Sequence, residues 1–133
     1  MTKKTFVNPP NLYKTPWQFN QAIKVTAPGS LLFLSGIVGI ATDGTIPNDI
    51  VKQAELAYAS LKRVVEAAGG TLENVVKTNV YVGVAYGPRK AELRDVRAKS
   101  FSGEHVPATT LLQVAGYANP EYLFEIEAIA VLD

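Results

Sequence analysis

The spacing of apolar positions divides the chain into helical and extended segments. Ile50, Ala54, Ala57, Tyr58, Leu61, Val64, Val65 and Ala68 recur at intervals of three and four, which gathers them on one face of a helix. Asn48 or Asp49 supplies its N-cap, and Gly69-Gly70 ends it where the chain must turn through positive φ. Val75 to Val84 is a β-branched run without helical period and predicts a strand. Gly87-Pro88 opens a second, more charged helix to about Ser102, with Leu93, Val96 and Phe101 facing inward. Thr109 to Tyr117 and Tyr122 to Leu132 predict strands joined around Gly116 to Pro120. Upstream, Phe19 to Thr26 and Leu31 to Ile37 flank Pro28-Gly29-Ser30, the pattern of a hairpin, and Asp43-Gly44 marks a loop. Residues 1–18 predict an irregular lead-in, because Pro9, Pro10 and Pro16 each remove a backbone donor.

The order β-β-α-β-α-β-β predicts a single α+β domain over residues 1–133, a mixed sheet with two helices on one face. With Val76, Val80, Val82 and Val84 under the helices, Val75, Lys77, Asn79 and Tyr81 point the other way. Glu125 and Glu127 share a face with Ile129 and Val131. That second face is half apolar and half charged, the composition of an interface. A homo-oligomer would cover it, with Lys77 neutralising one of the glutamates.

Composition narrows the function classes. The chain has 133 residues, 47% of them hydrophobic, enough for one domain with a core. Its 13 basic and 12 acidic residues give a net charge of +1, which makes no case for nucleic acid or an acidic membrane as partner. There is no cysteine, hence no disulfide, thiolate nucleophile or cysteine metal site. The apolar runs Leu31 to Leu34 and Ile37 to Ala41 are too short to span a bilayer. The basic start, Thr2-Lys3-Lys4-Thr5, is not followed by the apolar core of a signal peptide, so a cytoplasmic location is expected.

General catalytic signatures are sparse. His105 is the one histidine, and a lone loop histidine is more often a surface or turn residue than a base; with no cysteine beside it, no zinc site is expected. No phosphate-binding loop, dinucleotide fingerprint or nucleophile elbow occurs, and no cofactor is implied. Lys90, Arg94 and Arg97 form a basic stripe on the second helix, but Glu92 and Asp95 interleave with it, as on a solvated face. Glu125 and Glu127 are the best acid/base candidates. Two residues apart on a strand, they lie about 7 Å from each other on one face. A partly desolvated pair repels and favours a proton on one member. The alternative is that both are ion-paired to lysines or exposed at an edge.

Several short segments occur in an order that adds to this reading. They are Phe19-Asn20-Gln21-Ala22, Leu34-Ser35-Gly36, Ala67-Ala68-Gly69, the strand Val75 to Val82, Gly103-Glu104-His105, Pro107-Ala108, and Glu125 to Val131. In this order the chain resembles the Rid (reactive intermediate deaminase, YjgF) family from Phe19 to Val131. The resemblance implies a chorismate-mutase-like α+β fold and a homotrimer with clefts between subunits. In active members it also implies hydrolysis of reactive enamines and imines to ketoacids and ammonia. There an arginine directly after the Pro-Ala pair clamps the substrate carboxylate. The Ser-Gly segment and a glutamate position water, helped by an N-terminal tyrosine and an asparagine on the second helix. Ser35, Gly36 and Glu125 match this pattern. Phe19 stands in place of the tyrosine, Thr109 of the arginine, Asp95 of the asparagine, and Leu111 of a frequent cysteine.

The resemblance therefore implies Glu125 as the catalytic residue, with Phe19, Ser35, Gly36, Asp95, Thr109, Thr110 and Leu111 around the substrate. A threonine hydroxyl is a poor substitute for a bidentate arginine. The cleft is expected to suit neutral or cationic ligands unless Arg89, Lys90 or Arg94 moves in. The function expected is an arginine-independent deaminase or hydrolase. The alternative is a non-catalytic binding or regulatory trimer. Ribonuclease activity, sometimes attached to the family, is disfavoured by the neutral charge and the absence of a histidine pair.

Overall fold

The computed structural model describes residues 3–11, 19–27 and 29–133. Strands β1 (Lys3–Val7), β2 (Ala22–Thr26) and β3 (Ser30–Val38) precede helix α1 (Ile50–Ala67). Then come β4 (Val75–Val82), helix α2 (Lys90–Ser100), β5 (Ala108–Gln113) and β6 (Phe124–Leu132). The main sheet has the order β3-β6-β4-β5. β6 runs antiparallel to both neighbours, whereas β4 and β5 are parallel and joined through α2, so the sheet is mixed as expected. The last strand in the chain thus lies inside the sheet, between β3 and β4. This places Glu125 and Glu127 in the sheet's interior rather than at an edge.

α1 begins on Asp49, whose carboxylate accepts from the backbone N–H groups of Val51 and Lys52 at 2.9 and 3.0 Å. It ends at Gly69, where φ is +89°, a conformation that a side chain would resist. Its inner face carries Ala54, Ala57, Leu61 and Val65, packed with Leu34, Val75, Ile126, Ala128 and Ala130 in one core. The alanines on both sides let helix and sheet approach closely. Burying each larger side chain, Leu61 or Ile126 for instance, contributes about 1.5–3 kcal/mol. Val64 and Ala68, expected on this face, lie on the solvent side instead, at the margin of the apolar stripe. Among the described residues, no helix is long and apolar enough to cross a membrane.

Four expectations need correction. The lead-in is not irregular throughout: β1 pairs antiparallel with β2 from Lys3↔Thr26 to Val7↔Ala22, completing its ladder before Pro9 can interrupt it. Consequently β2 has β1 as its partner, β3 pairs with β6, and no ladder among the described residues joins β2 to β3. Pro16 and Pro28 lie outside the described residues. β4 stops at Val82, and Val84–Arg89 forms a 3₁₀ turn that leaves Val84 exposed. Finally, the β4–β6 ladder shifts between Val75 and Lys77, so Val75 is buried rather than turned to the second face.

Candidate active site

Two groups of side chains stand out, one on each face of the sheet. The first lines a cavity of about 220 Å³ beside the inner face of β4 and β5. Val80 and Val82 of β4 and Thr109 and Leu111 of β5 form its floor, since alternate residues of paired strands share a face. Leu93 and Arg97, one helical turn apart on α2, form a wall, with Tyr58 of α1 and Tyr86 of the 3₁₀ turn. Phe19 and Phe124 complete the lining. Phe19 is positioned by its neighbour Asn20, a buried amide whose Nδ2 donates to Val106 O at 2.6 Å and Glu104 O at 3.0 Å. That clasp ties the start of β2 to the segment leading into β5.

Among the described residues Arg97 is the charged member of the lining, and it was not foreseen there. The sequence places it on a solvated stripe with Lys90 and Arg94, yet it is only 5% exposed. Its Nη2 donates to Thr109 Oγ1 at 3.0 Å. Oγ1 in turn lies 2.6 Å from the hydroxyl of buried Thr78. Nε is enclosed without an acceptor, and no salt bridge reaches the guanidinium among the described residues. The flat group lies 5.7 Å from the Phe101 ring centroid. Burial draws its pKa below the ordinary arginine value, although a guanidinium remains a cation throughout the physiological range. Burial also pushes the Tyr58 phenol up to about 12, so Tyr58 is neutral at physiological pH.

This changes the expected electrostatics of the pocket. Asp95 is exposed on α2, because a two-residue step along a helix turns the side chain to the opposite side from Arg97. Arg89 is engaged by Glu92 at 2.6 and 3.0 Å and by Asp49 at 3.2 Å. Lys90 Nζ lies 5.8 Å from the Tyr86 ring centroid. Neither they nor Arg94 lines the cavity; Arg97 does. Among the described residues, the cavity lining is therefore apolar and hydroxylic around one cation, Arg97. The one local hint was the Leu93–Arg97 spacing of four, which continues the inward face of α2 past Leu93.

The second group lies on the outer face. The β3–β6 register shifts between Leu34 and Ile37, and Ser35 and Gly36 form the irregular, exposed segment. Gly36 lies directly under Glu125: a Cβ there would come within 2.4 Å of Glu125 Oε1. The Glu125 carboxylate takes no hydrogen bond from a described residue, whereas Glu127 accepts from Tyr81 Oη and from Asn79 Nδ2 at 3.1 Å. These two donors hold the Glu127 carboxyl below its ordinary pKa. The glutamates are thus not equivalent; among the described residues two donors hold Glu127 and none holds Glu125. Lys77 pairs with neither, donating instead to Thr110 Oγ1 at 3.0 Å. Exposed Phe33 and Leu31, paired with Ile129 and Val131, and exposed Leu112, paired with Tyr81, lie on the same face.

Thus Phe19, Thr109 and Leu111 come together around Arg97, and Ser35, Gly36 and Glu125 come together on the other face, with Thr110 beside Lys77. A single subunit does not unite the two groups. His105 packs edge-on against Phe6 of β1, ring centroids 5.3 Å apart, in neither group. Among the described residues no cluster of histidine, aspartate or glutamate could hold a metal ion.

Residues 13–132 match the profile of the family described as Endoribonuclease L-PSP. A RutC family protein of Pyrococcus horikoshii is 34% identical over 114 residues, 84% of this chain and 85% of that protein. The 2-iminobutanoate/2-iminopropanoate deaminase of Dermatophagoides farinae is 29% identical over 135 residues, covering 100% of both. Among solved structures, a protein of the conserved Rid protein family from Yersinia pestis superposes with a TM-score of 0.86 at 29% identity, covering 97% of this chain and 98% of that one.

Proposed function

The chain belongs to the Rid (YjgF, endoribonuclease L-PSP) family, and from that premise we propose a deaminase that hydrolyses the C–N bond of a reactive enamine, imine or related nitrogen compound. The reaction takes place in a cleft between the subunits of a homotrimer. One observation carries this reading: apart from Asp95, which is exposed on α2, the candidate residues are divided between two faces of one subunit. A neighbour's outer face laid against the β5 edge brings Glu125 and the Ser35-Gly36 segment opposite the cavity of Thr109 and Leu111. The exposed apolar rim of Phe33, Leu31 and Leu112 supplies the contact such an assembly needs.

The chemistry follows from the difference between the two carboxylates. An imine carbon is electrophilic once its nitrogen is protonated. Glu125, with no hydrogen-bond donor among the described residues, accepts a proton from attacking water and passes one to the departing nitrogen. Water adds to the carbon, the C–N bond breaks, and the products are a carbonyl compound and ammonia. An enamine first takes a proton on carbon to become the imine. Glu127 serves differently, fixing Tyr81 and Asn79 beside it. The position after Pro107-Ala108 is Thr109, so the reaction proceeds without an arginine at that point of β5.

The decisive experiment generates 2-imino acids in situ with an amino-acid oxidase and traps them with semicarbazide. The expected result is faster imine loss with native protein and none with Glu125→Gln. Equal rates for the two would overturn the catalytic role and favour a protein that only binds its ligand.

A further inference from the structure

We propose that Arg97, reaching into the cavity from α2, is the anion anchor of this protein, and that its ligand is a small carboxylate with a flat, apolar body. The inference deepens the deaminase reading and rests on it for the consequence to turnover, but not for binding.

A guanidinium is costly to remove from water unless its charge and its five N–H donors are answered. Here one neutral hydroxyl, Thr109 Oγ1, is the hydrogen-bond acceptor, and Nε is enclosed without any. No carboxylate among the described residues forms a salt bridge with the group. A purely structural arginine would be expected to have an acidic partner or several carbonyl acceptors. Arg97 instead borders a cavity whose other described lining residues are apolar, phenolic or hydroxylic. An oxyanion entering that space would meet a single fixed positive charge with unused donors, in surroundings where screening is weak.

The rest of the lining defines the ligand. Tyr58, Tyr86, Phe19 and Phe124 present aromatic surface, and Leu93 and Leu111 aliphatic surface. The Tyr58 hydroxyl stays protonated near neutral pH and adds no competing negative charge. Thr109 acquires a definite role: its small hydroxyl leaves room for the guanidinium and holds Nη2, while Thr78 supports the hydroxyl from below. A cation on the α2 side replaces one that β5 does not carry.

The test compares benzoate with benzamide, which share shape but differ in charge, by calorimetry on native protein and on Arg97→Met and Arg97→Lys. Native protein should prefer benzoate by at least about tenfold. Met should abolish the preference, and Lys should retain part of it. In parallel, benzoate should shift the side-chain ¹⁵N–¹H resonances of Arg97 in the native protein, and benzamide should not. No preference in native protein, a preference surviving in Arg97→Met, or benzoate binding that leaves those resonances unmoved would each overturn the assignment. The resonance measurement decides the matter even if Arg97→Met does not fold. Imine turnover without benzoate preference would overturn only the role of Arg97. Preference without turnover would leave that role standing and overturn the deaminase reading.

Discussion

Arg97 and Thr109 form a hydrogen-bonded pair across the α2–β5 junction, Nη2 to Oγ1 at 3.0 Å. The contact places a buried cation beside the β5 position where an arginine is expected by resemblance. The two positions are therefore physically coupled. Whatever occupies residue 109 decides whether Arg97 can lie in the cavity, and a second cation at 109 would compete with it for the same space.

Thr109→Arg should accordingly destabilise the protein instead of restoring a familiar site. Two guanidinium groups would share an enclosed space without an acid, at a cost of roughly 3 kcal/mol or more. Combining it with Arg97→Met should relieve most of that cost, giving a large interaction energy in a double-mutant cycle. Urea unfolding of the four proteins measures it. Additive effects would show that the two side chains do not share the site.

Gly36→Ala should disable the outer-face group while leaving the fold intact. The added Cβ would come within 2.4 Å of Glu125 Oε1, so the carboxylate must swing away. Loss of a positioned acid/base typically lowers turnover about 10²–10⁴-fold. Glu125→Gln should fall in the same range, and the double variant should be no worse than either alone. Imine turnover with unchanged far-ultraviolet circular dichroism checks this; full activity in Gly36→Ala would separate Glu125 from the reaction.

Gln53 predicts a purely structural effect. Fully buried on α1, its Nε2 donates to Pro47 O at 2.8 Å and Glu121 O at 2.9 Å, and its Oε1 accepts from Leu123 N–H at 2.8 Å. Gln53→Leu keeps similar bulk but strands three backbone groups, and should cost about 2–4 kcal/mol. Thermal melting is the measurement, with imine turnover per folded molecule unchanged. A loss below about 1 kcal/mol, the value of one ordinary hydrogen bond, would mean that water replaces the amide.

Periodicity reported the parts of this fold that bury apolar stripes. α1 and its Asp49 cap, the inward Leu93, Val96 and Phe101, and the outward Glu125 and Glu127 all follow from spacing alone. It failed where a polar group is buried by tertiary contacts. Arg97 reads as a solvent-facing residue because a stripe of charges along a helix is usually solvated. Only β5, far along the chain, reveals that Arg97 meets Thr109. Pairing partners were equally hidden: β1 is short and precedes two prolines, and nothing local says that β2 would choose it over β3. Ser35, Gly36 and Glu125 were legible as a group only through the ordered family motifs, since 90 residues of sequence separate Ser35 from Glu125.

The trimer reading predicts that the outer face is covered in solution. Native protein should sediment at three times the 14.3 kDa subunit mass. Phe33, 70% exposed in the single subunit, is the natural residue to disturb. Phe33→Glu should shift the equilibrium to monomer, abolish turnover and preserve secondary structure. A native monomer at micromolar concentration would sink the inter-subunit cleft outright.

The Tyr81–Glu127 contact predicts how stability responds to pH. Tyr81 and Asn79 hold the folded Glu127 pKa below its unfolded value of about 4.3. Its contribution is therefore fully present above that value and is lost as pH falls through the lower folded pKa. The same bond raises the Tyr81 pKa in the folded state, because ionising the phenol would face the carboxylate and forfeit the donor. That contribution is present below an unfolded value of about 10 and is lost as pH rises through the higher folded one. Tyr81→Phe removes the second effect and the Tyr81 share of the first, leaving the Asn79 bond to Glu127 in place. Plotted against pH, the stability difference between native and Tyr81→Phe should form a plateau through neutrality and decline on the acid side as Glu127 takes up its proton. In a Glu127→Gln background the acid-side decline should vanish, since no carboxylate remains to titrate there. Urea midpoints between pH 3 and pH 8 would show it. A difference that stays level down to pH 3 in the native background would mean that Tyr81 does not hold Glu127 as a carboxylate in solution.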